Sequence, residues 1–197
     1  MIKNVCVFCG SSMGADENYR RMAENLAAFF LKNKITLVYG GSNVGLMHVL
    51  AETMLNGEGI VIGVMPKSLV EKEVAHNGLT EMHIVADMQE RKSLMADLSD
   101  AFIALPGAFG TLDELFEVLT WNQLGIITKP VGLLNVNGYF DDLVRLLDKA
   151  RDERFLRIEH HEILQVDTDP AVLFKKLEDF RPRQAEKWID NLKKGKI

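Results

Sequence analysis

The sequence predicts a single doubly wound α/β domain, a mostly parallel sheet of about seven strands with helices on both faces. Three observations predict it. Short runs rich in Val, Ile and Leu recur along the chain, and longer amphipathic stretches separate them. Glycine and hydroxyl residues then follow several of the apolar runs, as they do where strands lead into helices above a ligand-binding edge. At 197 residues and 47% hydrophobic, the chain can fill one core but is short for two domains and a linker. Residues 1–182 are therefore read as one domain, and 183–197 as a C-terminal helical tail. Its lysines, Lys187, Lys193, Lys194 and Lys196 beside Trp188 and Ile189, read as a solvated terminal helix without a function of its own.

Taken in order, the predicted strands are Asn4 to Cys9, Ile35 to Tyr39, Ile60 to Val64, Met82 to Val85, Ala101 to Leu105, Val131 to Leu134 and Ile163 to Val166. Each is short and apolar enough to be buried on both faces. The predicted helices are Asn18 to Lys32, Gly45 to Asn56, Met88 to Leu98, Thr111 to Leu124, Tyr139 to Ala150 and Pro170 to Phe180, where apolar residues recur at helical spacing. Pro66 to Thr80 is the one long irregular connection expected, of the kind that serves as a lid or binding loop.

The net charge of −5 and the lack of a basic block argue against a nucleic-acid partner. The apolar runs are broken well before the ~18 residues of a membrane helix, and Met1 to Asn4 begin no secretion signal, so the expectation is a cytoplasmic protein with no membrane partner. Cys6 and Cys9 have a Cys-x-x-Cys spacing but fall within one predicted strand. Three residues apart there, they face opposite sides ~10 Å from each other and read as core thiols. Two cysteines and five histidines form no zinc spacing, and His76 reads as structural.

Three segments stand where chemistry is expected. In Leu105 to Glu114 a strand ends in the turn Pro106-Gly107-Ala108-Phe109-Gly110-Thr111 and a helix begins, so backbone N–H groups and the helix dipole could hold a phosphate. The competing reading is a plain turn in which Thr111 caps the helix and Glu114 completes a Thr-x-x-Glu capping box. Gly40-Gly41-Ser42-Asn43-Val44-Gly45 is a second glycine loop. It lacks the dinucleotide fingerprint, since Ser42 stands at the second glycine, and there is no P-loop motif either. Arg91 and Lys92 lie in the first turns of a helix, where the dipole disfavours cations. They are either solvated charges, with Arg91 paired to Asp87, or a clamp for a phosphate or a departing base. Glu73, on the long connection, is ambiguous by itself.

Taken together, Gly40 to Met47, Met88-Gln89-Glu90-Arg91-Lys92 and Pro106-Gly107-x-x-Gly110-Thr111-x-x-Glu114 resemble the Lonely Guy (LOG) family, cytokinin riboside 5'-monophosphate phosphoribohydrolases whose relatives have often been labelled lysine decarboxylases. The segment Val131 to Tyr139 is similar to family sequence as well. The resemblance implies a Rossmann-like fold, a homodimer, and cleavage between an adenine-type base and ribose 5-phosphate without metal or organic cofactor. It matches Arg91 and Glu114 to the catalytic pair, and Glu73, Arg91, Lys92, Gly107, Ala108, Phe109, Gly110, Thr111, Leu112, Asp113, Glu114 and Thr120 to substrate-binding positions. Gly40, Gly41 and Ser42 are added to that set as the second glycine loop. Ala108 departs from the family pattern P-G-G-x-G-T-x-x-E. If that position needs a positive φ, alanine costs roughly 1 kcal/mol there. Two other readings stand beside this one. A pyridoxal-dependent decarboxylase would need a Schiff-base lysine that nothing singles out, and a non-catalytic nucleotide-binding module would keep the cradle without turnover.

Overall fold

The computed structural model describes residues 1–70 and 75–181. Seven strands, β1 (Asn4–Phe8), β2 (Thr36–Tyr39), β3 (Val61–Pro66), β4 (Glu81–Val85), β5 (Ala101–Ala104), β6 (Val131–Leu134) and β7 (Leu164–Asp167), form one sheet in the order β4-β3-β2-β1-β5-β6-β7. Every neighbouring pair is parallel. All seven predicted strands are present; the five inner ones are apolar runs buried almost throughout, while the edge strands β4 and β7 are only partly covered.

The helices are α1 (Glu17–Asn33), α2 (Gly45–Asn56), α3 (Lys67–Val70), α4 (Met88–Asp97), α5 (Phe109–Leu124), α6 (Asp141–Asp152), α7 (Ile158–His161) and α8 (Pro170–Asp179). The sheet separates two cores. Val5, Val7 and Cys9 of the β1 region pack with α1, α2 and α8, while Cys6 and Phe8 pack with α4 and α5. Strand alternation thus puts the two cysteines in different layers, both buried and free.

Four local readings change. The predicted helix 111–124 starts two residues earlier, at Phe109, and its N-cap is Ala108 rather than Thr111, with no side-chain cap. The helix predicted from Tyr139 starts at Asp141, because a 3-10 turn over Val136–Gly138 intervenes, with Asn137 at φ 53°. The connection after β3 is partly ordered as α3, and Ala75 forms a bridge to Ser42. The short helices α3 and α7 are below the length at which periodicity is readable. Glu73 and the 183–197 tail lie outside the described residues.

The chain moves outward from β1 to β4, then returns to the other side of β1 as β5. Helices α1 and α5, which follow β1 and β5, therefore leave toward opposite faces of the sheet. The gap between their first turns, beyond the carboxyl ends of β1 and β5, is the topological switch point where such folds bind ligands.

Candidate active site

A cavity of about 330 Å³ opens at that switch point. The β1–α1 loop from Gly10 to Gly14 forms one wall, Pro106, Gly107, Ala108, Gly110 and Thr111 another, and Arg91 and Glu114 lie among its lining residues. The Gly10 N–H donates to the Pro106 carbonyl at 3.0 Å, joining the two loops. Gly107 is required where they meet. A Cβ there would stand 2.1 Å from Thr111 Oγ1 and 2.8 Å from Gly10 N. At Gly110 a Cβ would meet nothing within 4 Å, so its missing side chain leaves open space on the cavity wall.

Helix α5 starts on this cavity with no side-chain cap, as do α2 and α6 at their own starts, whereas α1, α4 and α8 are capped by the carboxylates of Asp16, Asp87 and Asp169. Unsatisfied N–H groups and the positive end of a helix dipole attract an anion. The capping box is absent because Glu114 turns instead toward α4. Ala108 sits at φ −108°, outside the left-handed region, so the position makes no demand for the glycine of the family pattern.

Arg91 is buried, 8% exposed, and three neighbours hold it. Its Nε donates to the Val64 carbonyl at 3.0 Å, and Nη1 donates to Glu114 Oε1 at 2.6 Å. Nη2 lies against Gly40, where a Cβ would come within 1.9 Å. Asp87, the partner considered from sequence, instead accepts the N–H groups of Gln89 and Glu90 at the start of α4. Burial raises the Glu114 carboxyl above the ordinary glutamate range, and the Arg91 charge counters only part of that rise.

The structure divides the sequence-derived residues into an inner and an outer group. Arg91, Gly107, Ala108, Gly110, Thr111 and Glu114 line the cavity together. Phe109, Leu112, Asp113 and Thr120 line a shallower cleft on the outer face of α5 with Phe116, Glu117 and Trp121. Lys92, next to Arg91 but pointing away from the cavity, bridges Asp113 at 3.2 Å and Glu117 at 3.0 Å, so consecutive residues tie α4 to α5 on both sides. Gly40, Gly41 and Ser42 are not part of the cavity lining. Gly40 makes room for Arg91, Gly41 turns the chain at φ 74°, and Ser42 pairs with Ala75. Sequence reading did not assign Tyr19, Met13, Met47 and Tyr139, which line the cavity. Gly10-Ser11-Ser12 after β1 was the available signal for that wall.

Among the described residues, His48, Glu52 and His76 have ligand atoms within 4.8 Å of one another. His76 Nδ1 accepts the Gly78 N–H at 3.1 Å, which places the proton on Nε2, and Nε2 then donates to Glu52 Oε1 at 2.9 Å. A metal would need the lone pair of that nitrogen. The cluster therefore serves as a latch holding the segment at His76 on α2, consistent with a structural His76, whose own N–H donates to the Gly41 carbonyl at 2.9 Å.

The sequence model of the family described as "Possible lysine decarboxylase" matches residues 47–177. The cytokinin riboside 5'-monophosphate phosphoribohydrolase LOG1 of Arabidopsis thaliana is 48% identical over 181 residues, 92% of this chain and 85% of that protein. The chain belongs to the LOG family. The probable phosphoribohydrolase LOGL2 of Oryza sativa subsp. japonica is 47% identical over 97% of this chain and 78% of its own length. Among solved structures, the molybdenum cofactor binding protein of Rippkaea orientalis has a TM-score of 0.68 at 20% identity, covering 91% of this chain and 97% of that one. The Moco carrier protein of Chlamydomonas rheinhardtii has a TM-score of 0.67 at 19% identity, with 91% and 99% covered. At those identities the two carrier structures establish only the Rossmann-like fold that this LOG family chain shares. The decarboxylase label in the family description finds no support in the site, since among the described residues no lysine lines the cavity.

Proposed function

We propose that the chain is a phosphoribohydrolase that cleaves the N-glycosidic bond of adenine-type nucleoside 5'-monophosphates, AMP or cytokinin ribotides, to free base and ribose 5-phosphate. The observation that carries this reading is the buried Arg91–Glu114 pair, set one helical turn beyond the uncapped start of α5 on a shared cavity. A phosphate bound at Ala108 to Thr111 would hold the ribose with its anomeric carbon toward Glu114. As the carbon–nitrogen bond breaks, positive charge grows on the ribose and negative charge on the base. The Glu114 carboxylate stabilises the first and orients a water, which delivers hydroxide to the anomeric carbon and a proton toward the base. Arg91, with a planar guanidinium at the cavity, stabilises the second. Phosphate binding is remote from the broken bond and orients the sugar, so its energy is realised as rate.

The test is release of free base, followed chromatographically from AMP, an isopentenyl-adenine ribotide and the matching nucleosides. The monophosphates are expected to react at least about a hundredfold faster, as phosphate-derived binding energy requires. Equal rates on adenosine and AMP would remove the reading.

We further propose that the protein acts in the cytoplasm as a homodimer. Phe109, at 92% exposure, and Phe116, at 38%, line the cleft on the outer face of α5 together with Leu112, Asp113 and Thr120. A second copy covering this face would bury apolar surface that a monomer leaves wet. Light scattering on the wild type and on Phe109→Asp, expected to shift toward monomer, checks it.

A further inference from the structure

Tyr139 takes no part in the bond cleavage proposed above. It follows the 3-10 turn after β6, lines the cavity, and is 46% exposed. Its hydroxyl donates to the Gly107 carbonyl at 2.8 Å. Its ring meets Tyr19 of α1 edge-on, with centroids 5.9 Å apart and planes at 80°. Tyr19 is in turn overlaid by the β1–α1 loop at Gly14, which sits at φ 73° and where a Cβ would stand 2.6 Å from the Tyr19 ring. Below them Asn137, in the left-handed region at φ 53°, donates to Asp16 Oδ2 at 3.0 Å and accepts from Asn18 Nδ2 at 3.3 Å. The turn that carries Tyr139 is thereby anchored to the start of α1. Loops from the ends of β1, β5 and β6 converge on one phenol.

The contact with Gly107 has a directional consequence. A trans peptide is planar, with its carbonyl and the following N–H pointing opposite ways, and the structure contains no cis peptide among its described residues. Holding the Gly107 carbonyl toward Tyr139 therefore turns the Ala108 N–H in the opposite sense. Ala108 is the N-cap of the uncapped helix α5, and glycine at 107 leaves that peptide unusually free to rotate. We propose that Tyr139 is a positioning residue that sets the Gly107–Ala108 peptide, and so the anion-binding geometry at the start of α5. The assignment rests on the reading that a substrate phosphate binds there.

A half-exposed phenol can exchange its protein hydrogen bond for water, so losing the hydroxyl leaves the fold almost unaffected. Tyr139→Phe keeps the ring and its contact with Tyr19 and removes only the hold on Gly107. Calorimetric titration with ribose 5-phosphate is expected to give a Kd about tenfold higher for Tyr139→Phe than for the wild type, with melting temperature and adenine binding unchanged. In the base-release assay KM for the monophosphate should rise by a similar factor while kcat stays within about threefold, the pattern of lost binding rather than lost chemistry. Equal ribose 5-phosphate affinity in the two proteins would overturn the assignment and leave the phosphate site standing. A wild type that does not bind ribose 5-phosphate at all would overturn both. A general loss, with adenine binding falling in parallel, would show a structural role and reject positioning.

Discussion

Arg91 Nη1 and Glu114 Oε1 meet at 2.6 Å, with the two side chains only 10% and 11% exposed, so each is the other's counter-ion in a site from which bulk water is largely excluded. The pair joins α4 to α5 and stands beside the uncapped first turn of α5. A buried ion pair is a poor way to gain stability, since desolvating both charges offsets most of their attraction. Its retention beside a cavity is better explained by the charges that bond cleavage would create there.

The pairing alters what Glu114→Gln should do. In a capping box glutamine would replace glutamate at little cost, but here it leaves the Arg91 charge buried without a counter-charge. Glutamine still offers an oxygen to Nη1, so the expected loss of stability is about 1–3 kcal/mol rather than the larger cost of deleting a partner outright. Turnover should fall by about 10² or more, because an amide neither stabilises a cation nor activates water as a carboxylate does. A melting curve and a base-release assay on one preparation check both, and activity within a few fold of wild type would remove Glu114 from the chemistry.

The pH profile carries the same signature. Burial moves the Glu114 carboxyl up, so the folded protein takes up that proton at a higher pH than an exposed glutamate would. Activity that needs the carboxylate should fail on the acid side above the ordinary glutamate range, as a limb in kcat/KM. The stability contribution has the opposite sense. A raised folded pKa favours the fold when the group is protonated, and that advantage is lost as pH rises from the unfolded value through the folded one. Comparing the pH dependence of stability in wild type and Glu114→Gln isolates the contribution, which should be missing from the variant.

Gly40→Ala tests whether the glycine loop serves Arg91 rather than a phosphate. The new Cβ would lie 1.9 Å from Nη2, so the guanidinium must move. Displacement of that order costs about a hundredfold in kcat, with a smaller effect on the affinity for ribose 5-phosphate. An affinity that falls as far as kcat would return the loop to the phosphate site.

Ala108→Gly should leave turnover within a few fold and stability within about 1 kcal/mol, since the native φ of −108° lies outside the left-handed region that would favour glycine and the backbone N–H is the same in both. A gain of a hundredfold would mean that alanine at this position cripples the cradle.

The strands and the long helices could be read directly because burial on two faces and burial on one face leave different periods in a chain, and those periods are local. The glycine turn at Gly107 to Gly110 was legible for the same reason, as an anion-sized gap between a strand and a helix. Arg91, Glu114 and the glycine loop at Gly40 were also visible as segments, but not their relation. Nothing local says that Glu114 ignores the Thr111 N–H and reaches an arginine 23 residues away, or that Gly40 exists to admit a guanidinium. Tyr19 and Tyr139 went unassigned because each is an ordinary aromatic in its own segment. What the sequence determined alone was the alternation of elements, the absence of a dinucleotide fingerprint and the residue types at the sheet edge. The tertiary structure decided which of those residues share a cavity. The strand order brings β5 in beside β1, so residues distant in sequence meet at a switch point defined by pairing rather than by any local pattern.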